Sequence, residues 1–116
     1  MNEPALFSSF EIKSKILRNR VVLSPMCQYK AENGMISDWH SQHYSRFAFS
    51  GLGAAFIEAT GVSSQGRITH GCTGIWSDDH IQGLSRIVNI FKEYNCISGI
   101  QLAHAGRKAS FLRPWD

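Results

Sequence analysis

Short apolar runs alternate with longer amphipathic segments along most of the chain. Three runs of five or six residues are bounded by polar or helix-breaking residues, and they lie at about 20–24, 54–59 and 97–102. Short apolar runs of this kind are typical of strands that are buried on both faces. Two intervening segments, at about 38–50 and 79–94, have apolar residues at helical spacing. This alternation of strand and helix predicts a parallel sheet with right-handed crossovers.

The segment before the first run and the loop before the second helix depart from this pattern. Residues at about 6–19 form two short extended pieces around the polar turn Lys13–Lys15, which predicts a hairpin. Residues 61–77 are rich in Gly and Ser and have no strand or helix pattern of their own. Loops of that length usually carry function in a compact domain, and we expect His70 and Cys72 to support this one.

The spacing of the strands sets the expected architecture. The predicted strand ends at Ser24, Ala59 and Gln101 are 35 and 42 residues apart, which is the size of successive β/α units. A closed barrel of eight such units needs at least about 200 residues, and this chain has 116. We therefore expect an α/β fold in which residues 1–116 form the first three β/α strands of a TIM (β/α)8 barrel, preceded by the hairpin. The barrel would be incomplete.

Composition and charge exclude several classes of function. The chain has 12 Lys and Arg against 9 Asp and Glu, so no basic excess points to nucleic acid or to a membrane surface. The longest apolar stretch is far shorter than the ~20 residues of a membrane span, and the N-terminus lacks a signal-peptide pattern. Three widely spaced cysteines do not suggest a disulfide framework, so we expect a reduced, cytoplasmic protein. His40 and His43 lack a third ligand at suitable spacing, so no metal is predicted.

Polar and reactive side chains follow the three predicted strands. In a parallel α/β fold, ligands bind at the carboxyl ends of the strands. These ends are Ser24–Tyr29, Glu58–Thr60 and Gln101–Lys108, and they contain a thiol, a phenol, an amide and two cations. The amide of Gln101 offers both a donor and an acceptor, which matches the edge of a pyrimidine-like ring, and Ala59 is small enough to admit one. The set favours a flat polar heterocycle over a metal ion.

Several multi-residue blocks, in the right order along the chain, resemble the Old Yellow Enzyme family. The blocks are Leu6-Phe7, Ile12-Lys13, Leu17–Arg20, Ser24–Cys27 followed by Tyr29, Glu58-Ala59, Gln65–Arg67, Gly74–Asp78 with His80, and Gln101–Ala109. The resemblance implies an FMN-dependent NAD(P)H dehydrogenase built on a (β/α)8 barrel. A cysteine rather than a threonine at position 27 is similar to the bacterial NADPH dehydrogenase and xenobiotic reductase branch.

The resemblance also implies a role for particular residues. FMN would be bound by six of them, largely through backbone groups in the first segment: Ser24, Pro25, Met26, Cys27, Ala59 and Gln101. Cys27 would tune the flavin potential near the reactive nitrogen, and Tyr29 would face the substrate, so these two are the candidate catalytic residues. Lys108 would approach the mouth of the site and bind substrate.

The reaction that the resemblance implies has two steps. NADPH or NADH reduces FMN, and hydride then passes to an activated alkene, with the protein supplying position and electrostatics. The partner would be a small molecule, and the full-length enzyme would be a homo-oligomer. The family's later site residues lie beyond the third strand, so we expect this chain alone to be inactive. Two alternatives stay open, a non-catalytic truncated remnant of such an enzyme and a small metal- or ligand-binding module.

Overall fold

The computed structural model describes residues 2–116, which form a two-stranded hairpin and a three-stranded sheet with two helices. The strands are β1 (Phe10–Ile12), β2 (Lys15–Leu17), β3 (Val22–Leu23), β4 (Ala54–Gly61) and β5 (Ile97–Ala103). The helices are α1 (Asp38–Phe49) and α2 (Ile81–Glu93). Short 3-10 turns lie at Ala5–Phe7, Asp78–His80 and Gly106–Lys108.

The hairpin is shorter than the predicted range of 6–19. Strands β1 and β2 pair antiparallel with Phe10 opposite Leu17, and Lys13 takes a left-handed φ of 52° in the turn. Upstream, Ala5–Phe7 is a 3-10 turn rather than an extended piece, because the N–H of Phe7 bonds back to the Pro4 carbonyl at 3.0 Å. Only Leu17 of the paired strands is buried, so the hairpin contributes little to the core.

The larger sheet is parallel, with the strand order β3, β4, β5. Val22 pairs with Ala54, and Ala54 pairs with Ile97 on its other side. Strand β3 has only two residues, whereas we predicted about 20–24. On one side the N–H of Arg20 bonds to the Leu6 carbonyl at 2.9 Å instead of joining the ladder. On the other side Pro25 has no N–H to offer, which ends the strand.

The core lies between this sheet and the two helices. It is built from one buried face of β3 and β4, the inner faces of the helices, and one residue between α2 and β5: Leu23, Tyr44, Ala48, Ala55, Ile57, Leu84, Ile87, Phe91 and Cys96. The Tyr44 and Phe91 rings meet edge to face, with centroids 5.8 Å apart. Strand β4 is buried along nearly all of its length because it has a neighbour on each side, whereas β5 pairs only with β4 and leaves Leu102 61% exposed. The sheet is open, as expected for the first strands of a barrel.

The long loop after β4 is held in place by hydrogen bonds to distant parts of the chain. Gly61 forms an isolated parallel bridge with Gly74, and the Gly61 N–H donates to the Thr73 carbonyl at 2.9 Å. The N–H of Gly74 donates to Gly34 O, and the N–H of Phe111 donates to Ile68 O, each at 2.9 Å. The loop is therefore a fixed part of the surface beside the strand ends.

Candidate active site at the strand ends

The carboxyl ends of β4 and β5 meet at an irregularity in the sheet. Ile57 pairs with Ile100 and Thr60 pairs with Leu102, so Glu58 and Ala59 together oppose the single residue Gln101. This is a β-bulge, a feature that is common beside active sites because it redirects side chains. Two of the predicted flavin contacts, Ala59 and Gln101, thus lie side by side at the bulge.

The bulge also explains how a carboxylate enters the core. Side chains normally alternate between the two faces of a strand, so consecutive residues do not reach the same helix. Here Ile57 packs in the core with Tyr44 of α1, and Glu58 also bonds to Tyr44. The extra residue of the bulge allows both contacts.

Glu58 is 1% exposed and is held by a network of buried polar groups. The Tyr44 hydroxyl donates to Glu58 Oε2 at 2.6 Å and accepts the Glu58 N–H at 2.9 Å. His40 Nε2 lies 3.4 Å from Glu58 Oε1, without the alignment of a good hydrogen bond. The backbone N–H of Ser37 donates to His40 Nδ1 at 3.0 Å, which leaves the ring proton on the nitrogen that faces Glu58. Burial, and then the charge of Glu58, raise the pKa of Tyr44.

The Glu58 carboxylate fixes the segment that follows β3. The N–H of Gln28 donates to Glu58 Oε1 at 3.3 Å, and the Gln28 side chain donates to the Met26 carbonyl at 3.1 Å. Trp39 Nε1 of α1 donates to Gln28 Oε1, also at 3.1 Å. Tyr29 then takes a left-handed φ of 54°, which turns the chain towards the loop. Glu58 is thereby the link between the bulge and the predicted flavin-contacting residues.

The predicted residues of this segment differ in exposure. Ser24 and Met26 are exposed, and Pro25, Cys27 and Tyr29 are half-buried. Among residues 2–116, the backbone N–H groups of Met26 and Cys27 donate to no other group of the protein. These two donors therefore have no partner within residues 2–116.

Cys27, Tyr29 and Cys72 lie close enough to shift one another's pKa. Interaction with Cys72, followed by burial, raises the pKa of Cys27, and burial followed by the Cys27 charge raises that of Tyr29. Interaction with Cys27 lowers the pKa of Cys72, and the backbone N–H of Thr69, 3.4 Å from Cys72 Sγ, acts in the same direction. We expected Cys72 only to support the loop.

The remaining predicted residues lie farther along the chain. Lys108 is exposed in the turn Gly106–Lys108, beyond the end of β5. Gln101 is also exposed, and its side-chain amide bonds to no group within residues 2–116. His104, which follows β5, accepts the Gly106 N–H at 3.1 Å and packs its ring against Gly66, where a Cβ would come within 2.5 Å of it. His104 therefore has a structural role.

Two aromatic residues surround a lysine at the outer edge of this surface. The Lys30 ammonium lies 4.9 Å from the ring centre of Trp39 and 4.6 Å from that of Trp115. The Trp115 ring also meets Tyr29 edge to face, with centroids 6.3 Å apart. The Tyr29 ring therefore borders this aromatic pair through Trp115.

The groups at the strand ends fit one edge of a flavin ring. The open N–H groups of Met26 and Cys27 are donors, and the free amide of Gln101 is a donor and an acceptor. Ala59, which is 8% exposed, lies opposite Gln101 at the bulge. By contrast, residues 2–116 contain no group of three His, Cys, Asp or Glu side chains arranged to hold a metal ion.

The sequence pattern did not predict the roles of four residues: Glu58, Tyr44, His40 and Cys72. A signal existed for Glu58, since an acidic residue inside an apolar strand must be paired when it is buried. No comparable signal existed for Cys72, which is 45 residues from Cys27 along the chain.

A parallel sheet of β/α units with polar groups at its carboxyl edge is typical of α/β proteins, TIM barrels among them, which bind their ligands at that edge. The chain belongs to the NADH:flavin oxidoreductase / NADH oxidase family, whose model matches residues 5–113. This membership confirms the resemblance, and the family is one of oxidoreductases that act through a flavin and a nicotinamide cofactor.

Curated relatives support the same family. The chain is 47% identical to the NADPH dehydrogenase of Bacillus cytotoxicus over 106 residues, covering 90% of this chain and 31% of that protein. It is 46% identical to the NADPH dehydrogenase of Halalkalibacterium halodurans over 114 residues, covering 97% of this chain and 34% of that protein. The chain thus spans about a third of the length of these relatives.

Solved structures confirm the expected fold. An Old Yellow Enzyme homologue from Zymomonas mobilis matches with a TM-score of 0.83 and 25% identity, covering 91% of this chain and 30% of that one. Morphinone reductase in complex with tetrahydroNAD matches with a TM-score of 0.83 and 26% identity, covering 92% and 29%. No helix within residues 2–116 combines the length and the apolar character needed to cross a membrane.

Proposed function

We propose that this chain supplies one side of the FMN site of an ene-reductase that transfers hydride from NAD(P)H to an activated alkene. The observation that carries the proposal is the bulge, where Ala59 opposes Gln101 and Glu58 holds the Gln28 N–H at 3.3 Å. This arrangement gathers donors and a small side chain from three strand ends at one edge, as recognition of a flat heterocycle requires.

In this proposal the flavin ring is held by Ser24, Pro25, Met26, Cys27, Ala59 and Gln101. Bound FMN would supply the hydride chemistry, and the protein would supply position and electrostatics. The N–H groups of Met26 and Cys27 would bind ring acceptors, and Gln101 would bind the pyrimidine edge. The Cys27 thiol keeps its proton because its pKa is raised, so it would offer the ring a neutral, polarisable neighbour.

Tyr29 and Lys108 are the proposed substrate contacts. The raised pKa of Tyr29 keeps its hydroxyl protonated, so this group can donate a hydrogen bond to a carbonyl or nitro oxygen. Lys108 would add positive charge at the mouth of the site. The partners that we propose are a small activated alkene and, in the full-length enzyme, further copies of the same chain. A cytoplasmic location suits its three free cysteines.

Two samples test the proposal. The first is the chain itself, and the second is a chimera in which residues 5–113 replace the matching segment of the Bacillus subtilis NADPH dehydrogenase, 45% identical over 106 residues. We expect the chain alone to be colourless and inactive. We expect the chimera to copurify with FMN and to oxidise NADPH in the presence of cyclohexenone.

A matched pair of chimera variants assigns the effect to the strand ends. Gln101→Leu removes the proposed amide contact and should reduce FMN content, whereas Gln82→Leu alters an exposed glutamine on α2 and should not. A chimera that folds, as judged by circular dichroism, but binds no flavin would overturn the proposal and favour the non-catalytic remnant.

A further inference from the structure

Gln28 is a polar residue that the proposed flavin and substrate contacts do not include. It lies between Cys27 and Tyr29 in the segment that follows β3, and it is half-buried. Its backbone and side chain make three hydrogen bonds, each to a different part of the chain. Most side-chain hydrogen bonds in proteins go to the backbone or to water. A glutamine whose amide is bonded at both ends is therefore suited to hold its segment in one conformation.

The two ends of the Gln28 amide have partners of opposite kinds. Trp39 Nε1 donates to Gln28 Oε1, and Gln28 Nε2 donates to the Met26 carbonyl, each at 3.1 Å. An indole N–H can only donate, and a backbone carbonyl can only accept. The side chain that joins them must therefore offer an acceptor and a donor at once, as an amide does. A carboxylate of the same shape would lose the donor, and an apolar side chain would lose both.

The groups that hold Gln28 belong to packed elements of the fold. Trp39 is in the first turn of α1. The Gln28 N–H donates to Glu58 Oε1 at 3.3 Å, and the Tyr44 hydroxyl donates to Glu58 Oε2 at 2.6 Å within the core. Gln28 is thus bonded to α1 through its side chain and to β4 through its backbone. These two contacts limit the movement of the segment after β3.

The bond to the Met26 carbonyl also orients a neighbouring donor. That carbonyl and the Cys27 N–H belong to one peptide unit, and the peptide bonds within residues 2–116 are all trans. A trans peptide is planar, so its C=O and N–H groups point in opposite directions. When Gln28 fixes the direction of the Met26 carbonyl, it also fixes the direction of the Cys27 N–H. This N–H has no partner within residues 2–116.

We propose that Gln28 is a positioning residue, which orients the Cys27 N–H towards the flavin ring by holding the Met26 carbonyl. This inference rests on the proposed function, in which the Cys27 N–H binds a ring acceptor. Gln28 touches neither the ring nor the substrate and acts through the peptide between Met26 and Cys27. An N–H donor stabilises negative charge on its acceptor, and reduced flavin carries more negative charge than oxidised flavin. Loss of this orientation should therefore weaken FMN binding and make the reduction potential more negative.

The first measurement uses the purified chain without flavin. Residual dipolar couplings in ¹⁵N NMR report the direction of each backbone N–H. We expect Gln28→Leu to change the coupling of the Cys27 N–H and to shift the resonance of the Trp39 indole N–H. The matched control is Gln82→Leu, the same replacement at an exposed glutamine of α2, which should change neither signal.

The second measurement uses the chimera that carries residues 5–113. Gln28→Leu should weaken FMN binding by about tenfold, the effect of losing about 1.4 kcal/mol of hydrogen bonding, and should make the reduction potential more negative. Gln28→Glu should act in the same direction, because it keeps an acceptor for Trp39 but offers no donor to Met26. Trp39→Phe removes only the outer partner and should have a smaller effect. Gln82→Leu should leave both quantities unchanged.

The outcomes separate this inference from the proposed function. If the chimera binds FMN and Gln28→Leu changes neither the affinity nor the potential, the positioning role is wrong and the proposed function stands. If Gln28→Leu loses FMN while the Cys27 N–H keeps its direction in the chain, the loss has another cause and the inference is overturned. A folded parent chimera that binds no FMN would overturn both.

Discussion

Replacing Tyr44 by phenylalanine removes one buried hydroxyl and keeps the ring that packs on Phe91. That hydroxyl makes two hydrogen bonds to one residue, donating to the Glu58 carboxylate at 2.6 Å and accepting the Glu58 N–H at 2.9 Å. Tyr44 and Glu58 are each 1% exposed, so water cannot replace the lost partner without opening the core. The substitution therefore measures how much the polar network contributes to the free energy of unfolding.

The magnitude follows from those two bonds. A hydrogen bond to a charged group contributes about 1.5–3 kcal/mol, and a buried N–H left without a partner costs about 1–3 kcal/mol. We expect Tyr44→Phe to lower the free energy of unfolding by about 3–5 kcal/mol, a large share of the ~5–15 kcal/mol of a typical domain. The midpoint of thermal unfolding should fall by at least about 10 °C.

The assay is urea unfolding followed by circular dichroism. The matched control is Tyr94→Phe, because Tyr94 is partly exposed, packs edge to face on Phe49 and makes no hydrogen bond through its hydroxyl within residues 2–116. The control should change stability by less than about 0.5 kcal/mol. If Tyr44→Phe lowers the free energy of unfolding by no more than Tyr94→Phe does, the proposed contribution of the Glu58 network is refuted. A double-mutant cycle with Glu58→Gln should show that the two effects are not additive.

Three further predictions concern other parts of the surface and core. Burial, partly opposed by the charge of Glu58, lowers the pKa of His43 in the folded chain. As the pH falls, His43 is therefore protonated in the unfolded chain before it is protonated in the folded chain. The free energy of unfolding should fall below about pH 6.5, by less than about 1.4 kcal/mol per pH unit. His43→Phe, which keeps the ring contacts with Tyr44 and Phe47, should reduce that slope, and an unchanged slope would contradict the assignment. Gly71→Ala should destabilise the chain by at least about 1 kcal/mol in urea, because its Cβ would lie 2.5 Å from a backbone oxygen, whereas Ser64→Ala in the same loop should be neutral. In the chimera, Cys27→Ala should shift the flavin reduction potential while FMN stays bound, and complete loss of FMN would rule out the proposed role.

Much of the fold follows from the sequence pattern because local rules govern it. The helices begin and end within about two residues of the predicted 38–50 and 79–94, since their periodicity and flanking residues act over a few positions. The hairpin and strand β3 are both shorter than predicted, and β3 is reduced to Val22–Leu23. The competing bond from Arg20 to the Leu6 carbonyl joins two segments whose proximity the pattern does not reveal.

The sequence by itself determined which strand ends carry polar and reactive groups, because those residues follow directly from the apolar runs. Only the tertiary structure decided how the groups combine. The bulge that sets Glu58 and Ala59 against Gln101 depends on the register between β4 and β5, and the hydrogen bond from the Ala31 N–H to the Gly71 carbonyl joins residues that are 40 positions apart. Both arise from backbone pairing between distant segments, which residue spacing along one chain does not encode.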